Sequence, residues 1–151
     1  MADGGMRARI GDDMRAAMKE RDQVKVGTLR MLMTAIKNTE VEKIHELSDE
    51  ETLDVIAKEA KRRRESIDAY GEAGRTDLVD KETAELRVLE AYLPERMSED
   101  ELAKLVDEAV AESGASSPKQ MGDVMKILMP KLRGRADGGQ VSALVKAKLG
   151  A

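Results

Sequence analysis

The segment "KLRGRADGGQVSALVKAKLG", residues 131–150, holds Lys131, Arg133 and Arg135 just ahead of a glycine pair. Three cations before such a turn could cradle phosphate, because a helix N-terminus offers unpaired N–H groups to an anion. Asp137 stands where that phosphate would have to sit, and its carboxylate repels one. Asp137, Gly138 and Gly139 therefore read as a helix cap and a tight turn, with the cations on the surface around them.

Other combinations are weaker. Ser116, Ser117 and Lys119 have the residue types of a serine–lysine amidase centre, but Ser117 fits a helix cap and the chain is too small for that scaffold. His45 is the single histidine and there is no cysteine, which leaves no imidazole pair, thiol nucleophile or thiolate metal site. Phosphate-loop, dinucleotide, zinc-protease and calcium-loop spacings are all missing. The residues identify no catalytic group, no metal ligand and no cofactor.

Two charge patterns remain. Arg63 and Arg64 interrupt the apolar face of one helical stretch, and Glu82 and Glu85 interrupt that of the next. An antiparallel hairpin turning near "GEAGR" sets Arg64 against Glu82 and Ile67 against Val79. This reads as a salt-bridge cluster that fixes register, with a paired-carboxylate or arginine–anion site as the alternative. The second pattern is basic: Lys119, Lys126, Lys131, Arg133, Arg135 and Lys146 toward the end of the chain, and Arg30 with Lys37, seven apart, as a second basic face. Clustered cations hold phosphate backbones without reading bases. The near absence of aromatics disfavours recognition by base stacking.

The elements that must carry these residues are helical. Apolar residues recur at helical spacing throughout, and Ala, Leu, Glu, Lys, Arg and Met dominate. With no Phe or Trp, two Tyr and ten Met, the core is aliphatic and methionine-rich. The expected helices run about 5–21, 24–43, 49–70, 76–92, 99–112, 118–129 and 138–149. Ser48/Glu51, Ser98/Glu101, Ser117/Gln120 and Asp137/Gln140 fit the capping-box spacing. Pro94 disfavours helix at Leu93 and divides an N-terminal four-helix domain, 1–94, from a C-terminal three-helix domain, 95–151. The fold class is all-α.

Charge is unevenly distributed under the overall −4. Residues 1–37 hold eight Lys and Arg against five Asp and Glu, residues 38–112 eleven against 23, and residues 113–151 seven against two. The early charges exclude a signal peptide and no apolar run is long enough to span a membrane, so a cytoplasmic protein without membrane contact is expected.

Four long blocks then become recognisable: "TLRMLMTAIKNTEVE", "EAKRRRESIDAYGEAGRTDLVDKETAEL", "LEAYLPERMSEDEL" and "GASSPKQMGDVMKILMPKLRGRADGGQVSALVKAKL". They resemble the YqeY family, which is similar to the C-terminal helical and tail region of the B subunit of glutamyl/aspartyl-tRNA amidotransferase. The resemblance implies the two-part helical fold. It also implies a tRNA-related accessory role, with structured tRNA gripped by the basic C-terminal face. The alternative it leaves is a protein-interaction module docking onto a tRNA synthetase or amidotransferase. A carbon–nitrogen ligase label with glutamine as amido donor would describe kinship. No residues correspond to a catalytic centre, so no activity of its own is expected.

Overall fold

The structure, a computed structural model, describes residues 5–150 of the 151-residue chain. It is all-helical, with four helices followed by three. In order these are α1 (Met6–Glu20), α2 (Gln23–Lys43), α3 (Asp49–Glu72), α4 (Thr76–Glu90), α5 (Glu99–Ser113), α6 (Met121–Leu132) and α7 (Gly138–Lys148), with a short 3-10 turn at Pro118–Gln120 before α6. The chain forms two compact units, Met1–Leu93 and Pro94–Ala151.

In the N-terminal unit the inward stripes meet in one core of Ile10, Leu29, Leu32, Ile36, Ile56, Ala60 and Leu89, with Met6, Met14 and Met33 packed around it. Each fully buried Leu or Ile contributes about 1.5–3 kcal/mol through removal of apolar surface from water. The C-terminal unit has its own aliphatic core, from Leu102 and Val106 through Val124, Leu128 and Leu132 to Val141 and Val145.

Local signals set the helix starts. Ser48 and Glu51 form a full capping box on α3: the Glu51 N–H donates to Ser48 Oγ at 3.2 Å, and the Ser48 N–H donates to Glu51 Oε1 at 3.0 Å. Ser98 caps α5 by accepting from Glu101 N, and Asp137 caps α7 by accepting from Gly139 N. Ser117 makes no such bond; Gln120 instead accepts from the Ser116 N–H at 2.8 Å, which shapes the 3-10 turn. The first N–H of α1 is satisfied from another helix, donating to Asp49 Oδ1 at 3.0 Å.

Two expected boundaries move. α3 continues to Glu72, so the hairpin turns at Ala73–Arg75 with Gly74 at φ 72°. α6 continues past Pro130 to Leu132. Proline removes one helical hydrogen bond, yet Leu128 and Leu132, one turn apart and both buried, hold the last turn to the core.

Candidate functional site

At the α3–α4 hairpin the arginines pair with glutamates in a register that differs from the expected one. Arg63, 7% exposed, lies 3.2 Å from Glu59 on its own helix and 3.9 Å from Glu85 on α4. Arg64 pairs with Glu90 at 3.3 Å, two turns beyond the expected Glu82. Glu82 instead lines a shallow groove of about 280 Å³ with Met31, Arg62, Arg63, Ser66, Lys81 and Glu85. Arg63 Nε is buried without a hydrogen-bond partner, so the cluster is incompletely satisfied.

The basic residues of the C-terminal unit are spread over several elements. Lys119 sits in the 3-10 turn, Lys126 and Lys131 are exposed on α6, Arg133 caps that helix at its end, and Lys146 is exposed on α7. Lys119 precedes the first residue of α6, so its seven-residue spacing from Lys126 does not put the two on one helical face. Arg135 is committed internally: its Nε donates to the Glu95 carbonyl at 2.8 Å and its guanidinium lies 3.7 Å from Glu101. His45 is exposed, 3.5 Å from Glu51. Among the described residues, no His, Cys, Asp and Glu side chains gather as a metal-ligand set, and no helix is long and apolar enough to cross a membrane.

Besides the basic pair Arg30 and Lys37, the N-terminal unit carries exposed apolar side chains. Of the six large apolar side chains well exposed among the described residues, Met18, Val24, Met31, Val41 and Ile44 lie on or beside α1 and α2. Where these helices meet, Met18, Arg21, Gln23, Val26, Gly27 and Arg30 line an open groove of about 460 Å³. Gly27 lies inside α2, where glycine costs about 1 kcal/mol relative to alanine. A Cβ added there would meet no atom within 4 Å, so internal packing does not demand the glycine. Arg30 and Lys37 are exposed one and three turns along from it, and neither forms an ion pair among the described residues. The sequence signal was available, since a mid-helix glycine with Val24 and Met31 off the buried stripe has no role in a core.

These features define a two-unit helical protein with an open, partly apolar, partly cationic face on its first helix pair. The chain belongs to the YqeY family: the family model, described as Yqey-like protein, matches residues 7–149. Its curated relatives include fungal proteins named "Altered inheritance of mitochondria protein 41, mitochondrial". The one from Pyrenophora tritici-repentis is 31% identical over 146 residues, 95% of this chain and 80% of that protein. The one from Eremothecium gossypii is 38% identical over 87 residues, 57% of this chain and 48% of that protein. A third, from Lachancea thermotolerans, is 31% identical over 123 residues, 79% of this chain and 66% of that protein. The match thus spans about half of the Eremothecium protein and two thirds of the Lachancea protein.

These relatives overturn two expectations. They are named for mitochondrial inheritance, which contradicts the tRNA-amidotransferase accessory role and its synthetase-docking alternative. They are also named as mitochondrial, which contradicts the cytoplasmic assignment. The positive balance over residues 113–151 is carried by side chains on separate elements, and Arg135 is bonded inside the unit.

Proposed function

We propose that this protein is a non-catalytic docking module whose N-terminal helical unit binds another protein. The observation that carries the reading is the concentration of exposed Met18, Val24, Met31, Val41 and Ile44 on and beside α1 and α2. Single exposed apolar residues are ordinary, but several on one helix pair that also carries an open groove mark a contact surface. The relatives' names refer to inheritance of mitochondria and mention neither substrate nor reaction, which agrees with work done by binding.

The test is affinity purification of the tagged chain from its native cells, with nuclease treatment and quantitative mass spectrometry. A protein partner at near-equal molar amount is the expected result. Recovery of the chain alone, at salt low enough to keep weak complexes, overturns the proposal.

A further inference from the structure

Resting on the docking reading, we infer that the outer line of α2 is the seat for an acidic amphipathic helix of the partner protein. Gly27, Arg30, Thr34, Lys37 and Val41 follow one another at alternating spacings of three and four residues. That spacing keeps them on one line of the helix, about 21 Å long at 1.5 Å per residue. The line begins at the open groove over Gly27 and ends at Val41, which is 77% exposed.

Its chemistry selects the occupant. An apolar place at each end, with Arg30 and Lys37 between, is the complement of a helix with aliphatic residues two turns or more apart and carboxylates in between. Arg21, at the groove's rim, adds a third cation. None of these three has an ion-pair partner among the described residues, so their charge is available to a partner. The small Gly27 leaves the groove open to a partner's side chain, and a bulky residue there would fill it. A phosphate backbone would answer the cations but leave the groove and Val41 unfilled.

Fluorescence anisotropy with a labelled synthetic peptide of about 20 residues tests this, since that length covers the line. The peptide carries Leu at helical three-and-four spacing and Glu on the flanks. Saturable binding is expected, weakened about tenfold or more by Gly27→Leu and by Arg30→Glu with Lys37→Glu, and changed less than about threefold by Gly27→Ala. A control peptide with Lys in place of Glu should not bind. Equal binding of both peptides, or indifference to Gly27→Leu, overturns the proposal. So does a dimer in sedimentation equilibrium that Gly27→Leu abolishes, because the face would then belong to a second copy. If the partner purified from cells is retained equally by the Gly27→Leu and Arg30→Glu/Lys37→Glu chains, this surface is excluded while docking stands. If there is neither a cellular partner nor peptide binding, both fall. Circular dichroism melts of each variant confirm that loss of binding is not loss of fold.

Discussion

Tyr92, just beyond α4, donates its hydroxyl to the Asp13 carboxylate of α1 at 2.5 Å, and the Arg9 guanidinium lies 4.7 Å from the centre of the same ring. Burial first, and the neighbouring Asp13 second, push the phenol's pKa above its usual range, so it stays a donor at every ordinary pH. The bond joins the first helix to the end of the unit's last one. Tyr92→Phe keeps the ring and its contact with Arg9 but leaves Asp13 without that donor. A loss of about 1–2 kcal/mol in urea unfolding is expected.

The capping box of α3 carries a pH signature. The Ser48 N–H, then the Lys43 ammonium, lower the Glu51 pKa from the usual 4.5 to about 2. A depressed folded-state pKa stabilises the fold above pH 4.5, and that contribution disappears as the pH falls through about 2. Glu51→Gln should therefore be less stable than the natural chain near neutrality, and the two should converge as the pH is lowered to about 2. Thermal melts across that range check it; a constant difference at all pH values would assign the effect to something other than the charge.

At the α3–α4 hairpin, Arg63→Met would leave Glu59 and Glu85 half-buried without their shared cation. A loss of about 3 kcal/mol is expected, as for a broken buried pair. Replacing Arg63, Glu59 and Glu85 together by Met, Leu and Leu should recover most of that loss, to within about 1 kcal/mol of the natural chain. Urea denaturation of the single and triple variants measures both, and a triple variant as unstable as the single one would show that the ion cluster stabilises the fold.

Ile44, which ends α2, has φ 59° and is 90% exposed. A β-branched residue in the left-handed region is strained by about 1–2 kcal/mol, because its Cβ crowds the following carbonyl. Ile44→Gly should raise the melting temperature despite the larger conformational entropy of glycine in the unfolded chain.

Gly27→Ala should also stabilise, by up to about 1 kcal/mol, since the new Cβ meets open space in the middle of a helix. Chemical denaturation reads this directly. An unchanged or lower stability would mean that α2 needs the glycine for its own backbone.

Most of the fold was legible because apolar periodicity and caps are local. Ser48 and Glu51 announce α3, and Ile10, Leu29, Leu32, Ile36, Ile56, Ala60 and Leu89 recur where a buried stripe requires them. What could not be read depended on tertiary distance. Nothing near Glu72 shows that α3 runs two residues past Tyr70, and nothing local shows that Arg64 meets Glu90 instead of Glu82. Ser117 has the right spacing to Gln120 for a cap, but the amide side chain bonds Ser116 instead. The surface was harder still, because Arg135 looks like any exposed cation until Glu95 and Glu101 are seen beside it.

That arginine also sets an order of events. The Met97 N–H donates to the Arg135 carbonyl at 2.9 Å, and the Arg135 side chain reaches the Glu95 carbonyl across 40 residues of sequence. During synthesis, which proceeds from the N-terminus, the N-terminal unit can finish folding on the ribosome. The bonds that Glu95 and Met97 make with Arg135 form only once the stretch around Arg135 has been translated and emerged.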